Sequence, residues 1–426
     1  MYIKKKGFHM NRRRRRMNPI RVFVLLVLIG GVVYLNQLIG TTIQPPFVPT
    51  PTATKAPESY LTDAQALENE GKLIQAVNAY KEAIRVDPDN AGSYISLARL
   101  QIYLKSYDDA LENLGNAMLL NDANAMAFSL RGWALGLTGQ FLDAKSALDQ
   151  AIAIDPNNGV HYAHLAEVYG LQYIQDGDFT VLEEARSISQ KAQELSPNAL
   201  ETYRARGYIL YLYGQYQEAV LQYEKAINLN PNIADLHLAL GRVYRTNELA
   251  EYNLATDEFR LADNLNPTDP MPDFLLSRVY FTQGEFTTAI QYAETAVRDE
   301  PSNPDWHGNL GTLLYRNGEY GKAITELGLV IKGGQTEDGV VVEPLPLSYD
   351  TAAYFYTYGL ALAKAGECGE ALQLSQALIQ NVANDEFAMF NAEEIVNICQ
   401  QVADGELIIT PEETDGDSAN ADSTTP

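Results

Sequence analysis

The sequence predicts an all-α fold, a solenoid in which short helical hairpins stack one after another. Three observations support this prediction. Residues 128–157 read as two amphipathic helices around a tight turn, helix-ending residues recur about every 34 residues, and small and aromatic residues keep one order within each period. Because one such hairpin is too small to bury both apolar faces, it needs neighbours, and the chain supplies about nine units.

The hairpin at 128–157 shows the pattern most clearly. Gly139 is predicted to make the turn, since glycine adopts positive φ without strain. Pro156 is predicted to stop the second helix, because proline cannot donate the next helical hydrogen bond. The apolar or small positions expected to face inward are Phe128, Gly132, Leu135, Ala144, Leu148 and Ala151.

The repeat spacing comes from the residues that end the second helices. Successive separations are 34, 34, 41, 34, 36 and 34 residues, between Pro88, Asp122, Pro156, Pro197, Pro231, Pro267 and Pro301. The longest period holds about seven extra residues near Gln172–Val181, and the eighth unit ends in Gly333-Gly334 with a loop to Ser348. Both places are expected to carry protruding loops.

Within the units, the second helix repeats small residue, aromatic, small residue and proline. Two of the matching sets are Ala76, Tyr80, Ala83 and Pro88, and Ala255, Phe259, Ala262 and Pro267. This pattern resembles the tetratricopeptide repeat family over roughly Pro57 to Ala383. The resemblance implies a right-handed superhelical solenoid of about nine helix–turn–helix units, with first helices lining the concave side and a C-terminal cap helix.

The N-terminal region predicts a membrane anchor. Residues 1–21 hold nine Lys/Arg and no acid, and 14 apolar or glycine residues follow from Val22 to Leu35. We interpret 1–21 as a basic cytoplasmic segment and 22–40 as a transmembrane signal anchor, with everything beyond lying outside the membrane. Secretion after cleavage of a signal peptide is the alternative. Residues 41–57 read as a Pro/Thr-rich linker.

The C-terminal part divides into three stretches. The repeats occupy 58–383, and 384–403 reads as a capping helix with apolar Phe387, Phe390, Ile395 and Ile398. Residues 404–426 are acidic, rich in Ser and Thr and poor in apolar side chains, which favours disorder.

The charge balance argues against nucleic-acid binding. The chain has a net charge of −24, and with the basic N-terminal segment set aside the remainder carries 22 basic against 55 acidic side chains. Such a surface repels phosphate backbones. Expected partners are a protein or peptide ligand, which includes acidic or proline-rich segments, and the membrane through the N-terminal helix.

The two cysteines are candidates for a disulfide. Cys368 begins the second helix of unit nine and Cys399 lies near the end of the cap helix. In the architecture that the resemblance implies, successive helices run antiparallel, so the two sulfurs approach each other, and an exported compartment lets them pair. Two buried free thiols are the alternative.

The sequence gives no indication of catalysis. His161 and His164 share a helix face, but two histidines alone hold a metal weakly, and packing or surface roles explain them better. The chain contains no phosphate-binding glycine loop, no GxSxG and no CxxC. We therefore predict no enzymatic activity and no cofactor.

The resemblance also implies a peptide-binding groove. Its inward positions in units five to eight form an arginine–aromatic lining, suited to carboxylates and extended segments: Arg204, Tyr208, Tyr211, Arg242, Arg245, Phe274, Arg278, Phe281 and Tyr315. Earlier units offer a less coherent set of Ile95, Arg99, Trp133 and Glu167. Pairing of these arginines with neighbouring glutamates, and occupation of the groove by the acidic tail, remain alternatives.

Two functions fit these features. The first is a membrane-anchored extracytoplasmic scaffold that binds an extended segment in the concave groove. The second is a structural or assembly factor of a cell-envelope complex that uses convex or loop surfaces, among them Gln172–Val181 and Gly333–Ser348.

Overall fold

A computed structural model describes residues 18–42 and 56–406. The chain divides into two compact units, Met1–Ala56 and Pro57–Pro426. The predicted linker residues 43–55 and tail residues 407–426 lie outside the described residues, as does the basic segment up to residue 17.

The first unit contains one described helix, α1, Pro19–Thr42. Pro19 begins the helix, a position whose N–H has no partner within the helix, so proline loses no hydrogen bond there. The side chain of Asn18 accepts a hydrogen bond from the N–H of Ile20 at 3.2 Å. The helix is longer than the apolar run predicted. Its stretch Pro19–Gln37 has a mean hydropathy of 2.0, which is long and apolar enough to cross a bilayer by length and composition.

The second unit is built from helices. Their bounds are α2 Pro57–Asn69, α3 Leu73–Val86, α4 Ala91–Tyr103, α5 Tyr107–Leu120, α6 Ala125–Leu137, α7 Phe141–Ile154, α8 Gly159–Asp176, α9 Phe179–Leu195, α10 Leu200–Leu212, α11 Tyr216–Leu229, α12 Ala234–Tyr244, α13 Tyr252–Leu265, α14 Pro270–Thr282, α15 Phe286–Asp299, α16 Pro304–Asn317, α17 Tyr320–Lys332, α18 Ala352–Ala365, α19 Cys368–Asn381 and α20 Glu386–Ala403.

These helices form nine consecutive hairpins in the described part of the chain, from α2–α3 to α18–α19, and α20 packs against the last one. The predicted all-α solenoid is therefore confirmed. In the hairpin α6–α7, Gly139 makes the turn with φ of 77°. Gly132, Leu135, Ala144, Leu148 and Ala151 are buried as predicted.

Close helix packing explains the small residues of the repeat. A Cβ on Gly241 of α12 would lie 2.5 Å from a ring carbon of Phe259 on α13. Phe259 and the alanines on either side of it, Ala255 and Ala262, are fully buried. The aromatic ring of the second helix thus fills a space that the glycine of the first helix leaves open.

The extra residues of unit four do not form a loop. They lengthen both helices of the hairpin, so that α8 has 18 residues and α9 has 17, against 13 and 14 in α6 and α7. The turn itself is short: Gly177 takes φ of 69° and Asp178 caps α9. The expected loop is corrected to a helical extension of about one turn on each helix.

The segment after α17 forms a small β-hairpin. Strand β1, Gly334–Gln335, pairs antiparallel with β2, Val341–Val342. The side chain of Val342 is buried, and the N–H of Leu345 donates to the carbonyl of Val330 at 2.8 Å. This expected protruding loop is therefore partly folded back onto α17.

The array of hairpins curls until its early units touch its later ones. The ammonium of Lys105, after α4, lies 2.6 Å from a carboxylate oxygen of Asp269, before α14. The side-chain amide of Asn232 donates to the carbonyl of Asn69 at 3.1 Å, and a Cβ on Gly71 would lie 2.7 Å from Asn232. We call this contact zone the seam.

At the C-terminal end, α20 covers α18 and α19 with Ala388, Ala392, Ile395 and Ile398. Phe387 and Phe390, the other two apolar residues named for this capping helix, are exposed. Cys368 and Cys399 form a disulfide in the structure, with Cα atoms 5.5 Å apart.

Candidate functional site

The inner side of units three to five is filled by side chains rather than open. The Nε of Arg204, on α10, donates to Glu167 of α8 at 2.7 Å, and its guanidinium stacks 4.0 Å from the ring of Trp133 on α6. Trp133 in turn stacks on His164 at 4.9 Å between ring centroids. We call Trp133, His164, Glu167 and Arg204 the buried arginine centre.

This arrangement corrects the prediction for Arg204. Its side chain is only 4% exposed, so it is not available to an incoming carboxylate. Burial alone lowers the pKa of Arg204, but Glu167 and Tyr103 outweigh it and raise the pKa, which keeps the group charged. Pairing with a neighbouring glutamate, the alternative considered from sequence, is what the structure contains at this position.

The neighbouring groups are also arranged for packing. The ring Nδ1 of His164 lies 2.9 Å from the hydroxyl of Ser129, and burial holds the pKa of His164 well below its usual value. Burial lowers the pKa of His161 too. The two histidines are therefore held neutral in the interior, as the packing interpretation expected.

Tyr208 lies at the edge of this centre. Its ring packs where a Cβ on Gly170 would stand, 2.7 Å away, and burial, reinforced by Glu167, raises the pKa of its hydroxyl. Arg242 acts in the opposite direction on that hydroxyl, which places Tyr208 between the buried centre and the next arginines along the solenoid.

Beyond the buried centre, three predicted arginines come together on the surface. Burial lowers the pKa of Arg245, and the positive charges of Arg278 and Arg242 lower it further. Arg242 and Arg245 are half-buried, and Arg278 is exposed. The Nε of Arg245 is enclosed and has no hydrogen-bond partner in the described structure.

These three guanidinium groups differ from the paired arginines of the earlier units. Arg85, Arg99 and Arg204 each lie within 2.8 Å of a glutamate oxygen. Among the residues that the structure describes, no carboxylate forms an ion pair with Arg242, Arg245 or Arg278. In a protein with a net charge of −24, three adjacent cations without an acidic partner are unusual.

Aromatic side chains border the three arginines. Arg278 lies 5.6 Å from the ring centre of Phe274, and Phe274 contacts Trp306 at 4.8 Å. Phe281 packs edge-on against Phe286. We use the name arginine–aromatic face for the half-buried or exposed set Arg242, Arg245, Phe274, Arg278, Phe281 and Tyr315.

Tyr211 lies next to this face rather than within the buried centre. It is half-buried, contacts Tyr216 at 5.9 Å between ring centroids, and acts electrostatically on Arg245. At the other end, Tyr315 packs against the last hairpin. The charges of Arg316 and Glu394 act electrostatically on its hydroxyl. The predicted residues after Tyr208 are therefore half-buried or exposed, unlike Arg204.

Clefts of appreciable volume lie elsewhere. One of about 580 Å³ separates the turn of unit three from the extended hairpin of unit four and is lined by Phe141, Leu142 and Tyr169 among others. A second, of about 420 Å³, lies beside the β-hairpin. In the described residues, no group of three or more His, Cys, Asp or Glu side chains is arranged to hold a metal ion.

Sequence reasoning missed the function of the earlier inward positions. Trp133 and Glu167 were interpreted as a less coherent groove set, whereas both contact Arg204. One signal was present: an aromatic, a glutamate and an arginine stand at groove-facing positions of three successive first helices, the ninth of α6, the ninth of α8 and the fifth of α10. A glutamate and an arginine on adjacent helices are suited to neutralise each other.

Comparison with known proteins adds family evidence to this geometry. A family model described as TPR repeat matches residues 207–247, and one described as tetratricopeptide repeat matches residues 61–125 and 274–338. The protein O-mannosyl-transferase TMTC3 of Homo sapiens is 27% identical over 252 residues, which cover 58% of this chain and 24% of that protein.

Two further similarities are more distant. Superkiller protein 3 of Schizosaccharomyces pombe is 23% identical over 263 residues, which cover 59% of this chain and 19% of that protein. The crystal structure of the APC/C hetero-tetramer Cut9-Hcn1 aligns with a TM-score of 0.45 at 17% identity, over 60% of this chain and 49% of that one. This chain spans about a quarter or less of the length of these two curated relatives. With nine stacked hairpins in the described residues and repeat models matching three separate segments, the chain contains tetratricopeptide repeats.

Proposed function

We propose that this protein is a scaffold that binds an extended segment of a partner protein on the arginine–aromatic face. The observation that carries the proposal is the group of three adjacent guanidinium groups, Arg242, Arg245 and Arg278, which has no acidic partner among the described residues. Tetratricopeptide repeats are protein-interaction modules, so a partner protein is the expected ligand of such a surface.

The chemistry of the face favours a segment with carboxylates. A guanidinium offers planar, paired N–H donors that match a carboxylate, and hydrogen bonds to charged groups are the stronger ones. Binding an anion there relieves the mutual repulsion of the three arginines. Phe274, Phe281 and Tyr315 supply flat apolar surface for the rest of an extended peptide.

The proposal includes anchoring by α1. A helix of 24 residues is about 36 Å long, which exceeds the roughly 30 Å of a bilayer's hydrocarbon core. The nine basic residues before Val22 favour a cytoplasmic N-terminus, with the repeats on the other side of the membrane. Release after signal cleavage is the alternative to be tested.

The proposed activity involves no chemistry on the ligand. The name of TMTC3 describes a transferase, but this chain spans 24% of that protein. The titratable groups with large pKa shifts in the described structure lie in packed pairs or beneath helices. None of them faces a cleft together with a nucleophile and a base.

The test is crosslinking in intact cells. The full-length chain is expressed as wild type and as the double variant Arg245→Gln, Arg278→Gln, then crosslinked and analysed by mass spectrometry. We expect at least a tenfold loss of one set of crosslinked partners in the variant. The matched control is Arg85→Gln, an exposed arginine already paired with Glu82. Unchanged capture by the double variant contradicts the proposal.

A second candidate surface is the helical extension of unit four. Three large apolar side chains are exposed in this region, Leu142 at 88%, Ile174 at 61% and Phe179 at 54%, and Leu142 also lines the cleft of about 580 Å³. An assembly factor that docks there should lose its partner in the variant Leu142→Ser, Ile174→Ser, while replacement of the arginines leaves capture unchanged.

A further inference from the structure

We propose that the C-terminal segment of this same chain, residues 407–426, docks on the arginine–aromatic face and competes there with the partner. The proposal rests on the face identified under the proposed function, and it names the ligand that occupies this face when the partner is absent. The segment is then an intrachain competitor that raises the partner concentration needed for binding.

Charge complementarity is the first argument. Residues 407–426 contain five carboxylates, at Glu412, Glu413, Asp415, Asp417 and Asp422, and no lysine or arginine. The face presents three guanidinium groups that no carboxylate of the described residues neutralises. An anionic segment tethered to the same chain supplies negative charge to them at a high local concentration.

The direction of the chain after α20 is the second argument. Gly405 takes φ of 72°, and the N–H of Glu406 donates back to the carbonyl of Gln401 at 2.9 Å. This left-handed helix end reverses the chain, so that residue 406 turns back against the last turn of α20.

Reach is the third argument. Glu394 of α20 acts electrostatically on Tyr315, a member of the face, so this flank of α20 lies beside it. The nine residues from Glu394 to the end of α20 rise only about 14 Å. Twenty further residues span up to about 66 Å when extended, which leaves ample length to pass Tyr315 and reach Arg278.

Tethering makes even weak docking effective. A short flexible connection gives an effective concentration in the millimolar range. A segment with an intrinsic Kd of about 0.1 mM is then bound most of the time and lowers the apparent affinity of a partner by about tenfold. A partner with more carboxylates or better apolar contacts displaces it.

The experiment uses a labelled synthetic peptide of residues 404–426 as the probe, in fluorescence anisotropy at low salt. It is titrated with the full-length chain in detergent, with the same chain truncated after residue 403, and with the truncated chain carrying Arg242→Gln, Arg245→Gln and Arg278→Gln. We expect the truncated chain to bind at least tenfold more tightly than the full-length chain, and the triple variant to lose binding. Arg85→Gln in the truncated chain, and a peptide with all acids changed to amides, are the matched controls.

The outcomes separate this inference from the proposed function. Equal peptide binding by the full-length and truncated chains overturns the inference, as does unchanged binding by the triple variant, and neither result affects arginine-dependent capture of a partner. Conversely, peptide binding that needs the arginines supports the inference even where partner capture in cells does not. Dimers of the full-length chain that disappear on truncation overturn the intrachain form and indicate docking between copies. Circular dichroism of the triple variant checks that it is folded.

Discussion

Lys105 and Asp269 form an ion pair at 2.6 Å although 164 residues separate them in sequence. Asp269 is 3% exposed in its side chain, and it also accepts the N–H of Met271 at the start of α14. The pair joins the turn of unit two to the start of unit seven. It therefore holds the seam that closes the inner side of units three to five.

Replacing Lys105 by Met should destabilise the protein and loosen the seam. The change leaves a buried carboxylate without its cation, and we expect a loss of about 1–3 kcal/mol, the cost of a broken buried pair reduced for a lysine that is one-third exposed. Urea unfolding and hydrogen exchange in α4 and α14 measure it. As a control, Lys145→Met removes an exposed ion pair with Asp149 and should lower the free energy of unfolding by less than about 0.5 kcal/mol. Equal effects of the two changes contradict the structural importance of the seam.

Replacing Arg204 alone should lower the free energy of unfolding more than replacing Arg204 and Glu167 together. Arg204→Met alone leaves Glu167 charged and enclosed, with an expected loss of about 3–5 kcal/mol. The double variant Arg204→Met, Glu167→Leu should recover at least half of that loss. Urea unfolding of the single and double variants measures the coupling. If the single variant unfolds like the wild type but loses partner capture, Arg204 acts in binding and not in stability.

Asp273 should make the protein less stable as the pH rises from 4 to 7. Burial, reinforced by Asp263 and Asp299, raises the pKa of Asp273 to about 7, above its usual 3.8. The folded state then binds a proton that the unfolded state releases, so stability falls between these two values. Asp273→Asn should raise the melting temperature at pH 7.5 and leave it nearly unchanged at pH 4. A melting temperature that falls at pH 7.5 contradicts this assignment.

Two matched histidines should add a second loss of stability at higher pH. His237 and His307 each place Nδ1 2.6 Å from a glutamate and Nε2 2.9 Å from a proline carbonyl, so both ring nitrogens face acceptors. Burial alone lowers the pKa of each ring, but these hydrogen bonds outweigh it and raise the pKa.

The resulting stabilisation is complete below pH 6.5 and disappears as the pH rises through the raised folded pKa. Nuclear magnetic resonance titration of the ring protons should give values above 6.5 for both histidines. Changing their glutamate partners, Glu258 and Glu326, to Gln should lower the values. His164 serves as an internal control, because burial lowers its pKa.

The disulfide between Cys368 and Cys399 should stabilise the last hairpin. It closes a loop of 31 residues, for which chain entropy gives on the order of 3 kcal/mol. The variant Cys368→Ser, Cys399→Ser should unfold α20 first, with faster hydrogen exchange there than in α2–α15. Mass spectrometry of the full-length protein under non-reducing conditions checks the bond directly, and two free thiols would rule it out.

The hairpins were predictable because their signals are local. The period of 34 residues, the turn at Gly139 and the stop at Pro156 each depend on residues within one unit. The helical extension of unit four was not predicted, because about seven added residues equal two helical turns and disturb no apolar pattern. An insertion of that length is compatible with either a loop or longer helices.

The candidate site was predictable only in part. Position within a unit indicated that Arg204, Arg245 and Arg278 lie on first helices, but it did not indicate their exposure. Arg204 is buried because Glu167 and Trp133 of the two preceding first helices enclose it, and no pattern within one unit encodes that contact. Arg278 stands at a different position of its helix, the ninth of α14 against the fifth of α10, and is exposed.

The seam has a consequence for how the protein is made. During synthesis, the N-terminal hairpins emerge from the ribosome long before Asp269 does. Until then Lys105 has no buried carboxylate to pair with, although the partners of Arg204 have already been made. The hairpins can thus pack in order along the chain, whereas closure of the early units onto the later ones is a late, long-range step of folding.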